Sequence, residues 1–236
     1  MSFWKLERVP EPEEMDDSEE VASYSWAAAE RHLDAIDDTF VEHLSRLLGG
    51  ALPSEIARGW SLDVGTGPAQ IPIKVLARFP SLRIVALDRS PNMLACARRN
   101  AERTGVSDRL ALLRSDGHRL PFPDGAFSFV LCNSVLHHAR DPAGLLRELF
   151  RVAAPGTAVL VRDLRRPARP LLRWHQWRHG RNYRGRMREL FTASVRAAYT
   201  VEELQDLLQQ AGIDSATVFR FGGAHLGVER SASRAG

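Results

Sequence analysis

The sequence predicts an α/β protein built on a doubly wound, mostly parallel sheet. Three observations carry that expectation. A short apolar run, Trp60 to Val64, ends in the glycine turn Gly65-Thr66-Gly67, and a helical pattern with Ile71, Val75, Leu76 and Phe79 on one face follows at once. Strand-like and helix-like segments then alternate as far as Leu164, which demands parallel strands joined by right-handed crossovers. Acids stand at the carboxyl ends of two strands, Asp88 and Asp116, where an open α/β sheet places its ligand crevice.

The chain divides at about residue 55. Residues 7 to 20 are acidic and carry Pro10 and Pro12, so an extended arm is expected, with a helix starting near Ser18. From Ala27 to Leu48 the spacing of Leu33, Ile36, Phe40, Leu44 and Leu47 has helical period, and Gly49-Gly50 ends it. Residues 1–55 therefore read as an arm and helical layer beside the sheet, and 56–236 as the main domain. The acidic arm is expected to be a solvated face rather than a lid over the crevice.

In the first turn, glycines let the backbone bend sharply where a side chain would intrude, and the following helix points its N–H groups at the crevice. The third glycine of a dinucleotide fingerprint is missing, because Pro68, Ala69 and Gln70 follow Gly67, which counts against NAD or FAD. The run Arg83 to Asp88 is the second strand, and its terminal acid lies about 20 residues past the turn, where this fold binds ribose hydroxyls. Ser90 caps the next helix, Pro91 occupies its first position, and Gly105 stops it.

Leu110 to Leu113 is the third strand, leading into Arg114-Ser115-Asp116-Gly117. Phe127 to Cys132 is the fourth, continued by Asn133, Ser134, Val135, Leu136, His137 and His138. Asp141-Pro142 opens a helix with Leu145, Leu146, Leu149 and Val152 on its buried side, and Pro155-Gly156 turns into a fifth strand from Thr157 to Leu164. Residues 165–199 break the alternation with an Arg/Trp-rich insertion, expected as a helical cap whose aromatics pack inward while its arginines meet water. Thr200 to Glu203 is a capping box. Two β-like runs, Ala216 to Phe221 and His225 to Glu229, flank Gly222-Gly223 as a hairpin.

The pattern Asp63-x-Gly65-x-Gly67-x-Ala69 resembles the first motif of class I S-adenosylmethionine (SAM) methyltransferases, D/E-x-G-x-G-x-G, with Ala69 replacing the last glycine. The succession from 55 to 164 resembles the ubiquinone/menaquinone-biosynthesis-like (methyltransferase type 11) branch of that family. The resemblance implies a Rossmann-like, seven-stranded sheet with one antiparallel C-terminal strand. It also implies SAM as cofactor, S-adenosylhomocysteine as product, and in-line methyl transfer to a small-molecule acceptor. It places Asp116 and Gly117 at the adenine, Met93 against the ring, and Asn133 or Ser134 near the methionine moiety. The expected cofactor-binding set is Asp63, Gly65, Thr66, Gly67, Asp88, Arg89, Met93, Asp116, Gly117, Asn133 and Ser134.

His138 is the candidate catalytic base, since it follows the fourth strand; a packing role at a helix start competes with it for both histidines. Tyr24, His175, His179 and His225 are weaker candidates. Asn133 is not followed by Pro-Pro-Tyr/Phe, which argues against acceptors that are exocyclic amines of nucleobases or glutamine amides. No cysteine–histidine cluster has metal-ligand spacing, so no metal is expected. A net charge of +3 is too small to argue for nucleic acid. Two competing readings remain: an RNA methyltransferase using the Arg/aromatic insertion, and a SAM-binding regulator without turnover. The absence of an apolar span or leader pattern, and two cysteines, Cys96 and Cys132, expected to be buried, point to a cytoplasmic protein with no membrane span. Oligomeric state leaves no trace in the sequence.

Overall fold

The computed structural model describes residues 4, 6–11, 31–49 and 59–232. The expected helix start near Ser18 and the candidate Tyr24 lie outside them. In chain order the elements are α1 (Arg31–Leu47), β1 (Trp60–Val64), α2 (Gln70–Arg78), β2 (Arg83–Asp88), α3 (Pro91–Thr104), β3 (Leu110–Arg114) and β4 (Phe127–Asn133). There follow α4 (Pro142–Val152), β5 (Ala153–Leu164), α5 (Leu172–Gly180), α6 (Gly185–Ala197), α7 (Val201–Ala211), β6 (Thr217–Phe221) and β7 (His225–Arg230).

The strands form one seven-stranded sheet in the order β3-β2-β1-β4-β5-β7-β6. β1 to β5 pair in parallel, and β7 runs antiparallel to both β5 and β6. The chain winds outward from β1 to β3, then returns to the far side of β1 as β4. That reversal opens a crevice at the carboxyl ends of β1 and β4. Side chains alternate across the sheet: Phe129 and Leu131 of β4 enter the layer with Phe40 and Leu44 of α1 and Val75 and Leu76 of α2. Val130 and Cys132 join Leu145 and Leu149 of α4 and Leu204 of α7 on the other face.

Caps fall where the sequence places them. The Ser90 hydroxyl accepts from Met93 N at 3.1 Å and Gly105 closes α3 with a φ of 69°. The Asp141 carboxylate accepts from Gly144 N at 2.8 Å, and Thr200 and Glu203 form the reciprocal capping box of α7.

Three expectations need correction. β5 begins at Ala153, not Thr157: it passes through Pro155-Gly156 by a register shift opposite Phe127 and Phe129, as an irregular strand start can where a proline cannot donate. The insertion is helical, but Trp174 and Trp177 are 56% and 59% exposed; α5 turns its small and histidine side toward the body, leaving Gly180 and His175 buried instead. Cys132 is buried as expected, whereas Cys96 is half-buried.

Candidate active site

The carboxyl ends of β1, β2, β3 and β4 floor a cavity of about 580 Å³, walled by Leu33, Ile36 and Asp37 of α1 and by Met187, Leu190 and Phe191 of α6. Its floor begins at the β1 turn. Gly65 N and Thr66 N donate to Leu87 O at 2.9 and 3.0 Å, Gly67 N donates to Asp88 Oδ2 at 2.8 Å, and Ser90 N donates to Asp88 Oδ1 at 2.9 Å. One carboxylate thus ties the glycine turn of β1 to the strand end and helix start of the next unit. Gly65 has a φ of +71°, and a Cβ there would lie 2.3 Å from Val135 Cγ2, so both conformation and space exclude a side chain.

Of the residues expected in the site, Gly65, Gly67, Asp88, Arg89, Met93, Asp116, Gly117, Asn133, Ser134 and His138 all line this one cavity. Asp63 and Thr66 are buried outside its lining. Burial, with the nearby Asp88 charge, pushes the Asp63 carboxyl up to about 7, so its position suits a polar anchor beneath the turn. At Asp116, burial opposes ionisation, but donation from the His118 backbone and ring outweighs it and holds the carboxyl below its ordinary value. Two non-glycine residues adopt left-handed backbone here, Ala69 at φ 63° and Ser134 at φ 57°. Such strain clusters at binding sites, and Ala69 stands where the family motif has glycine.

The other half of the cavity is built from residues that sequence reasoning missed. Arg162, in the middle of apolar β5, is 1% exposed. Its Nη1 donates to Thr39 Oγ1 at 2.9 Å, its Nη2 to Ile36 O at 3.1 Å and its Nε to Asn133 Oδ1 at 3.2 Å, and its guanidinium lies 4.8 Å from the Phe40 ring centre. Burial lowers the Arg162 guanidinium to about 10 and raises the Asp37 carboxyl to about 6, each opposed by the other's charge. The signal was visible: an Arg-Asp pair interrupts the run from Val159 to Leu164.

The Asp is Asp163, and it is paired with His137. His137 N donates to Asp163 Oδ2 at 2.9 Å, and the Nδ1 to Oδ1 distance is 2.6 Å. Burial alone would lower the His137 imidazole, but the Asp163 charge and hydrogen bond raise it; Asp163 is held low by the same contact against its own burial. The arm also reaches this place. Arg8 Nε donates to Ala197 O at 2.6 Å and Arg8 Nη2 to His137 O at 2.8 Å, while Val9 N donates to Arg196 O at 3.1 Å. Glu11 Oε2 lies 3.6 Å from His137 Nε2 and 3.8 Å from His138 Nδ1. Within the described part of the arm, Glu7, Val9 and Pro10 are exposed as expected, while Arg8 and Glu11 turn in against the cavity wall. The arm also brings the Glu11 carboxylate beside the neighbouring His137 and His138, a group able to ligate a metal.

The sheet has the order of a doubly wound α/β domain, with a glycine turn after β1, Asp88 closing β2 and Asp116 just past β3. Residues 62–161 match the family described as "Methyltransferase domain". The chain is 39% identical over 106 residues to a demethylmenaquinone methyltransferase of Thermus thermophilus, covering 45% of this chain and 47% of that protein. It is 28% identical over 185 residues to that of Lactiplantibacillus plantarum, covering 72% and 77%. The chain spans about half the length of several curated relatives it matches, 47% and 52% in two examples.

Among solved structures, the plantazolicin methyltransferase BpumL in complex with a triazolic desmethylPZN analog and SAH has a TM-score of 0.67 at 14% identity, covering 92% of each chain. The [4+2]-cyclase SpnF has a TM-score of 0.57 at 20% identity, covering 92% of this chain and 65% of that one. Likeness at this distance shows the shared fold, which carries more than one chemistry. Among the described residues no helix is long and apolar enough to cross a membrane.

Proposed function

We propose that this protein transfers a methyl group from SAM to a small-molecule acceptor held beneath α1 and α6. The observation that carries the reading is Asp88: it closes β2, fixes the β1 glycine turn through Gly67 N, and lines the cavity. The residues present fit the cofactor. Asp88 supplies a carboxylate for a ribose diol, Asp116 and Gly117 stand one strand further out for adenine, and Gly65 lines the cavity floor at a left-handed turn where a Cβ would collide with Val135. When bound, SAM supplies a methyl group on a sulfonium, ready for in-line displacement.

The chain's own work is to orient an acceptor and exclude water. Leu33, Ile36, Tyr183, Met187, Leu190 and Phe191 give the acceptor side of the cavity an apolar and aromatic wall, which suits a planar or apolar molecule. Burial and the Arg162 charge push His225 down to about 3, so it meets the acceptor as a neutral imidazole. His138, also in the wall, is the candidate to take a proton from an acceptor that must lose one. Arg166 of the insertion is committed to the fold, donating to Leu6 O at 3.0 Å and pairing with Glu203, which weakens the RNA reading.

The test is formation of S-adenosylhomocysteine from SAM with a panel of phenols, quinols and amines, followed by mass spectrometry. The reading predicts acceptor-dependent product that is lost in Asp88→Ala. Saturable SAM binding with no product from any acceptor would favour a SAM-binding regulator.

A further inference from the structure

We propose that Glu11, His137 and His138 form a binding site for a first-row divalent cation in the cavity wall. Among the described residues their three ligand atoms lie within 4.8 Å of one another. His137 Nε2 is 3.6 Å and His138 Nδ1 3.8 Å from Glu11 Oε2. Tetrahedral bonds of about 2.0–2.2 Å set neighbouring ligand atoms roughly 3.3–3.6 Å apart, so these two edges need to close by at most a few tenths of an ångström.

The independent observation is His137 itself. It is 2% exposed, and its buried Nε2 has no hydrogen-bond partner. Its other nitrogen is held by Asp163 at 2.6 Å. A carboxylate on one ring nitrogen fixes the tautomer and orientation of the other, the arrangement that supports ligating histidines. A proton on Nε2, shared toward Glu11, is the alternative occupant of the same place, and a cation would displace it.

Charge permits the exchange. Glu11 and Asp163 contribute two carboxylates against the Arg8 guanidinium, whose Nη2 rests on His137 O at 2.8 Å. Two imidazoles and one carboxylate favour zinc, cobalt or iron(II) over magnesium or calcium. His137 and His138 both line the cavity, whereas Glu11 does not, so the site sits where the arm meets the cavity wall. The site stands independently of the methyl-transfer reading.

The test is titration of tag-free, chelator-treated full-length protein with Co2+, followed by visible absorption, with Zn2+ and Mg2+ as competitors. The proposal expects a saturable ligand-field spectrum, displacement by Zn2+ but not Mg2+, and at least tenfold weaker binding in Glu11→Gln and in His138→Gln. Asp163→Asn, a positioning change, should weaken binding 10–100-fold. If Asp163→Asn does not fold, the other two variants decide. No spectrum up to millimolar Co2+, or equal affinity in wild type, Glu11→Gln and His138→Gln, would overturn the proposal. SAM titration of the same samples checks folding and reports on the cofactor reading separately.

Discussion

The two halves of the cavity hold their side chains in different ways. On the β1–β3 side the contacts are close in sequence and largely backbone: Asp88 bonds Ser90 N two residues away and Gly67 N 21 residues away. On the β4–β5 side they are side-chain contacts across long loops of chain. Arg162 reaches Thr39 and Ile36, 123 and 126 residues away, and Arg8 reaches His137 O, 129 residues away. The first half is a turn closed largely by neighbouring backbone; the second is a buried polar network drawn from distant segments of the chain. Local geometry makes the floor, and distant elements supply the polar wall.

That contrast can be pressed by substitution, beginning where the largest effect is expected. Arg162→Ala should destabilise the protein by about 3–5 kcal/mol in urea unfolding, because it strips partners from α1 and removes the largest charge opposing burial of Asp37. A loss below about 1 kcal/mol would mean that α1 docks by apolar packing alone. Gly65→Ala should cost about 2–4 kcal/mol, from left-handed backbone and the collision with Val135, and should abolish SAM binding.

An effect of similar size is expected at Asp63, and it depends on pH. Its carboxyl titrates at 3.8 in its ordinary state and about 7 in the fold. Between those values the folded state keeps a proton that the unfolded state has released, so Asp63 makes unfolding easier as pH rises from about 4 to about 7. Asp63→Asn should remove that slope, gaining roughly 2–4 kcal/mol on wild type between pH 4 and pH 8. Parallel stability–pH curves for the two proteins would contradict the assignment. Smallest of all, Trp174→Ala should shift stability by no more than about 0.5 kcal/mol, since the side chain is mostly exposed; a larger loss would place it in a packed contact.

The same contrast explains what could be read from the sequence. Alternating periodicity, the glycine turn and cap residues such as Ser90, Asp141 and Thr200 act within a few residues, so the alternation of strands and helices and the placing of Asp88 and Asp116 at or just past strand ends followed from local rules. The partnership of Arg8, Glu11, His137 and Asp163 has no sequence spacing to announce it, because the fold alone brings the arm, the turn after β4 and the end of β5 together. Trp174 and Trp177 were misjudged for a related reason. Apolar character predicts burial only when an element has a face to cover, and α5 is a short cap helix whose inner side is already filled by His175 and Gly180. Ala69 shows the limit of motif reading: a small residue replaces glycine, yet it must adopt the left-handed backbone that glycine takes freely.

The central claim, that cofactor binding belongs to the local β1–β3 half, is tested most directly by calorimetric titration of metal-free protein with SAM in wild type, Asp88→Ala and Glu11→Gln. The account predicts saturable binding in wild type, at least tenfold weaker in Asp88→Ala and unchanged in Glu11→Gln. Binding indifferent to Asp88, or lost with Glu11, would contradict it.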